Sequence, residues 1–186
     1  ATLMVAIDDA SGRIFARFFE EETLVAAQET FRGWCERHGL PLALYVDRAG
    51  IYRSDREPTA EEVSLGRRPE TQFGRAMREL DVELILANSS QAKGRVERMN
   101  GTLQNRLVKA LRRAGATTLE EGNRLLEASF LEKLNGRFGK VPASPEDAHR
   151  PAIGVAWERI LCVRETRVVA NDWTLRWNGR VLQIPR

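Results

Sequence analysis

Ser89-Ser90-Gln91-Ala92-Lys93-Gly94-Arg95-Val96-Glu97-Arg98-Met99-Asn100-Gly101-Thr102-Leu103 sets a single carboxylate, Glu97, in a basic, amphipathic helix that the spacing starts near Gly94. Upstream, the apolar run Leu42-Ala43-Leu44-Tyr45-Val46 closes on a second carboxylate, Asp47. An Asp at a strand end and a Glu on a later helix are a means of bringing two hard oxygen ligands to one divalent cation.

Val96, Met99, Leu103, Leu107, Ala110 and Ala114 recur at threes and fours and predict a buried stripe along a helix from about 94 to 114. Arg95, Arg98, Arg106, Lys109 and Arg113 fall on another sector, and Glu97 lies off both. Before it, residues 70–80 carry Phe73, Met77 and Leu80 at helical spacing and lead into a short strand at 82–87. Strand, helix and strand in this order predict a parallel pair. The stretch 53–68, with Pro58, Gly66 and many charges, reads as a solvated insertion with room for one short helix.

Towards the amino end, β-prone residues 2–7 and 13–19 flank Asp8-Asp9-Ala10-Ser11-Gly12 and predict a hairpin. Thr23 can cap a helix to His38, with Leu24, Ala27, Phe31, Trp34 and Cys35 on one face and Gly39 as its stop. Towards the carboxyl end, Thr118 and Glu121 form a capping box for a helix running through Leu125, Leu126, Phe130 and Leu134. The domain reading is a core over 1–138, a linker over 139–152 with three prolines, and a β module over 153–186 with runs near 160–169, 173–177 and 181–184. Asn178-Gly179 marks a hairpin turn in that module. Trp157, Trp173 and Trp177 are expected to pack it, and His38 and His149, without partners at ligand spacing, to be structural.

The net charge of +3 is too small to indicate a polyanion partner by itself. Clustering is more telling: Lys93, Arg95, Arg98, Arg106, Lys109, Arg112 and Arg113 fall within 21 residues with Glu97 as their only acid. Lys93, Arg95, Arg98 and Asn100 bracket Glu97, and with Arg106 and Lys109 they are the candidate DNA contacts, mostly to phosphates. Two distant cysteines, Cys35 and Cys162, indicate neither a zinc site nor a disulfide framework. No apolar stretch approaches membrane-spanning length and the start lacks a signal-peptide pattern, so a soluble, cytoplasmic protein without a membrane partner is expected.

Hairpin, helix, strand ending in Asp, helix, strand, then a helix with Gly-x-x-Glu resembles the ribonuclease H-like core of DDE transposases and retroviral-type integrases. The matching residues are Met4-Val5-Ala6-Ile7-Asp8-Asp9-Ala10-Ser11-Gly12-Arg13, then Tyr45-Val46-Asp47, then Lys93-Gly94-Arg95-Val96-Glu97-Arg98-Met99-Asn100. More narrowly, Asp47-Arg48-Ala49-Gly50-Ile51-Tyr52-Arg53 and the Arg-rich tail resemble bacterial insertion-sequence transposases of the ISNCY type. The resemblance implies an α/β fold: a ribonuclease H-like core lacking its first strand, with a small, partial C-terminal all-β module. It also implies a bacterial polynucleotidyl transferase acting in DNA recombination, which uses two Asp and one Glu with Mg²⁺, or Mn²⁺, to cut a strand and join its 3′-OH to target DNA. In that frame Asp47 is the second Asp and Glu97 the Glu, the partners are transposon ends and target DNA, and the protein assembles as a homo-oligomer on them.

The family's first Asp sits on a strand preceding the hairpin, and that strand is not in this chain, so the chain is expected to be inactive alone. Asp8 and Asp9, at the hairpin end, are not promoted to that role. The 49 residues between Asp47 and Glu97 exceed the family's usual spacing; the insertion at 53–68 absorbs them at little cost in loop closure. The alternative is a non-catalytic DNA-binding or oligomerisation module from a decayed transposase.

Overall fold

The computed structural model describes residues 1–66, 68–87, 90–144 and 146–185, with the backbone alone at 61 and 90–98. Strand β1 (Thr2–Ile7) pairs antiparallel with β2 (Ile14–Phe19) from Thr2↔Phe19 to Ile7↔Ile14. Asp8 ties the turn between them: its Oδ2 accepts the Ser11 amide at 2.7 Å and the Ser11 hydroxyl. Helix α1 (Leu24–His38) follows, with the Thr23 hydroxyl accepting the Ala26 amide and Gly39 closing the end at φ 89°. A Cβ on Gly33 would overlap the Phe15 ring, so α1 packs on β2 through the one residue type that permits it.

Strand β3 (Ala43–Val46) comes next, then the short α2 (Ala60–Ser64) inside the expected insertion, α3 (Gln72–Glu79) and β4 (Glu83–Leu86). β3 and β4 pair in parallel, Ala43↔Glu83 to Val46↔Leu86, as their order predicts. They form a two-stranded sheet separate from β1–β2, and α1 packs on β1, β2 and α3. Phe15, Phe73, Ile14, Met77, Leu103, Leu126 and Cys35 are buried almost completely and join these elements in one core.

Helix α4 (Ser90–Ala114) begins four residues earlier than the spacing predicts, so Gly94 lies inside it rather than at its start. Leu103 and Leu107 are buried as expected, but Leu111 packs on the core while Ala114 is exposed. The stripe drifts because 3.6 residues per turn does not hold a strict three-four repeat on one line.

The capping box at Thr118 and Glu121 forms and starts α5 (Leu119–Leu125). The helix continues through a π-helical turn, Leu126–Phe130, into α6 (Leu131–Phe138). Its asparagines close the outer edge of β2: Asn123 exchanges two hydrogen bonds with Phe18 (2.7 and 3.0 Å), and Asn135 two with Ile14 (2.8 and 2.9 Å). Two side-chain amides thus stand in for a neighbouring strand.

The following segment returns to the core. Leu40 and Arg150 exchange backbone hydrogen bonds at 2.8 and 2.9 Å, and the Arg150 guanidinium donates to the carbonyls of Leu80 and Asp81. His38 and His149 both pack on Trp34, at 4.4 and 5.8 Å between ring centroids. Trp157, at the start of α7 (Trp157–Ile160), is buried in the main core rather than packing a separate β module.

The run at 160–169, expected as a strand, forms none. Arg75 of α3 donates to the carbonyls of Ile160 and Cys162, and the Gln72 side chain bonds both backbone groups of Arg164. Backbone groups that a ladder would need are already taken by α3. Beyond them β5 (Thr174–Trp177) and β6 (Arg180–Gln183) form a hairpin through Asn178-Gly179, both at positive φ as the tight primed turn requires. Trp173 and Trp177 are 46% and 45% exposed, so neither is a packed centre of this hairpin.

Candidate active site

Asp47 directly follows the last residue of β3 and is exposed. The Ala87 amide donates to the Val46 carbonyl at 2.8 Å, so β3 and β4 end side by side. α4 begins at Ser90, three residues beyond Ala87, and therefore rises from the same carboxyl edge that presents Asp47. In open α/β sheets that edge is where ligands bind. Glu97 stands on α4 seven residues after Ser90, about 10 Å along the helix axis. The side chains of Glu97, Lys93, Arg95 and Arg98 lie outside the described residues; the helix that carries them is described.

Asp47 Oδ1 accepts the Ala49 amide at 2.9 Å, and no other hydrogen bond or ion pair reaches this carboxylate among the described residues. It offers an exposed, hard oxygen donor that no described cation neutralises, which suits Mg²⁺ or Mn²⁺. Among the described residues no three His, Cys, Asp or Glu side chains gather at metal-binding range.

Asp8 has a different environment. Burial pushes its carboxyl up, but the Ser11 hydroxyl and the Ser11 and Ala10 amides outweigh this and leave it below the ordinary range. Its oxygens are engaged in the hairpin turn.

Of the candidate DNA contacts with described side chains, Asn100, Arg106 and Lys109 are all exposed on α4. Arg106 stacks on the Phe138 ring, 5.0 Å from its centroid, so this cation is held against α6 while its polar edge faces solvent. Arg112 and Arg113 extend the basic surface into the last turn, where they also complement the helix dipole.

Sequence reasoning missed Tyr52. It lies in the run Asp47–Arg53, which carries the family resemblance only as a whole, and its ring is tucked against Phe73 with centroids 5.1 Å apart at 85°. Burial, with smaller contributions from Glu22 and Asp47, pushes its hydroxyl up to about 12.

No known protein-family model matches the chain. Over 98% of its length it is 42% identical to a protein named "Putative transposase y4bF" from Sinorhizobium fredii. Over 96% it is 39% identical to "Transposase for insertion sequence IS1202" from Streptococcus pneumoniae. In both cases the similarity runs across nearly the whole chain. The chain spans 39% and 37% of the lengths of these two relatives.

Proposed function

We propose that this chain is the catalytic-core segment of a DDE-type insertion-sequence transposase, and that it serves DNA transposition. The core is ribonuclease H-like without its first strand. The observation that carries the reading is the common carboxyl edge of β3 and β4, with Asp47 at the end of one strand and the Glu97-bearing α4 rising from the other. Two further features support it. β1 and β3 each have one strand edge without a strand partner among the described residues, and all six residues of β1 are only half-buried. A strand of the parent protein between them would join the two sheets and bring the first Asp to the same edge.

Asp47 and Glu97 would hold Mg²⁺ or Mn²⁺. Bound there, the cations supply an activated attacking oxygen and a stabilised leaving oxygen for in-line phosphoryl displacement. Asp47 contributes Oδ2, the oxygen that does not hold the Ala49 amide, from a strand end fixed by the β3–β4 pairing. Asn100, Arg106 and Lys109, with Lys93, Arg95 and Arg98 on the preceding turns of α4, hold the DNA backbone beside it. Copies of the parent protein assemble on transposon ends and target.

In the parent protein, Asp47→Asn and Glu97→Gln should each abolish Mg²⁺-dependent strand cleavage while leaving DNA affinity near that of the unaltered protein. This 186-residue chain alone should not cleave. A variant that cuts at the unaltered rate removes its residue from the site.

A further inference from the structure

Asp47 is exposed at the end of a short strand, a position where a carboxylate ordinarily samples several orientations. The turn that follows restrains it. The Ala49 amide holds Asp47 Oδ1 at 2.9 Å, and the Ala49 carbonyl accepts the amides of Tyr52 and Arg53 at 2.9 and 3.0 Å. The Tyr52 ring meets Phe73 edge-on at 5.1 Å; Phe73 is 1% exposed and meets Phe31 of α1 at 6.2 Å. Ile51 packs on the same core, whereas the tip at Gly50 faces open space. One end of the turn is therefore free and carries the carboxylate, and the other is wedged into the aromatic core.

We propose that Tyr52 is the positioning residue for Asp47: its ring, lodged against Phe73, fixes the turn whose Ala49 amide orients the carboxylate. The proposal rests on the reading of Asp47 as a metal ligand, and it assigns the work to the ring rather than to the hydroxyl. Burial keeps that hydroxyl neutral across the ordinary pH range, so it contributes no charge to the site. Tyr52 touches no reacting atom and acts only through the turn.

The test is ¹⁵N relaxation of the 186-residue chain with Mn²⁺ as the probe, comparing the unaltered chain with Tyr52→Phe, Tyr52→Leu and Asp47→Asn. The Ala49 amide should have an order parameter of about 0.85 in the unaltered chain and in Tyr52→Phe, and fall below about 0.6 in Tyr52→Leu. Mn²⁺ should broaden the amides of Val46 to Arg48 in the first two at concentrations several-fold lower than in Tyr52→Leu. Rigid turns in Tyr52→Leu would overturn the proposal, and so would a Tyr52→Phe turn as mobile as that of Tyr52→Leu. If Tyr52→Leu fails to fold, Phe73→Leu removes the other half of the ring contact, and the same loosening of Ala49 is expected; a rigid Ala49 there overturns the proposal. Asp47→Asn keeps the oxygen that accepts the Ala49 amide, so the turn should stay rigid while Mn²⁺ broadening disappears. Broadening that persists in Asp47→Asn overturns the metal-ligand reading and leaves the anchoring role of Tyr52 standing.

Discussion

The side-chain amide of Asn135 takes both backbone groups of Ile14, accepting its N–H at 2.8 Å and donating to its carbonyl at 2.9 Å, although 121 residues separate them. Asn123 does the same for Phe18, twelve residues earlier on the same continuous helix. Twelve residues make about three and a third α-turns, which would leave the two side chains some 120° apart. The π-turn at Leu126–Phe130 takes up one extra residue, and the remaining eleven make about three whole turns. Both amides then face β2.

Asn135→Ala strands two backbone groups of a residue only 2% exposed and should cost about 2–4 kcal/mol, read as a lower urea midpoint at unchanged slope. Deleting the exposed Ala128 should be tolerated within about 1 kcal/mol, because it turns the π-turn into α and keeps both asparagines in phase. Inserting a second alanine there should destabilise as strongly as removing an asparagine. Equal stability of the deletion and insertion variants would exclude the phasing role.

Lys109→Ala should weaken binding to duplex DNA regardless of sequence and lower the slope of log affinity against log salt by about one. Arg106→Ala should do the same and also loosen α4 from α6, because its guanidinium packs on Phe138. Fluorescence anisotropy across a salt series, with thermal melts alongside, separates the two effects. An unchanged slope for both variants would remove α4 from the DNA surface.

The two thiols should differ sharply in reactivity. Cys35 is 1% exposed, and burial, with a smaller push from Glu36, raises it to about 12, whereas Cys162 is only half-buried. At pH 8 an aromatic disulfide reagent should modify Cys162 in the native chain and Cys35 only on unfolding. Fast modification of both thiols without denaturant would contradict the packing of α1.

Acid should loosen the insertion before the core. The hydrogen bond from Arg56, then the Thr59 amide, hold Glu62 down at about 2 against an ordinary 4.5. The folded segment thus binds a proton less readily than the unfolded one, so this contribution is complete above about pH 4.5 and disappears as the pH falls towards 2. Amide signals of residues 59–64 should disperse less between pH 4.5 and 2, and Arg56→Ala should move that loss to higher pH.

Elements whose cause is local are legible in the residues themselves. The hairpin, the Thr23 cap, the capping box at Thr118, the Asn178-Gly179 turn and the parallel order of β3 and β4 follow from turn chemistry, capping and hydrophobic period. The strand expected at 160–169 fails because Arg75 and Gln72, some ninety residues away, take its backbone groups. Trp157 reads like a β-module residue until the return of the chain through Arg150 brings it to the main core. Of the candidate site, Asp47 and the helix bearing Glu97 are legible as strand-end Asp and amphipathic spacing. The hold that Tyr52 has on Asp47 is not, since it depends on Phe73 arriving from another helix.

The sequence by itself determined the order of elements, the capped helices, the tight turns and which carboxylates and cations were worth considering, because each depends on residues within a few positions of one another. Only the tertiary structure decided that β3 and β4 end together at the base of α4, that a π-turn phases two asparagines onto β2, and that Tyr52 anchors the turn bearing Asp47. Those relations join residues far apart in the chain, and they are fixed by packing and by satisfying buried backbone groups, which no local pattern records.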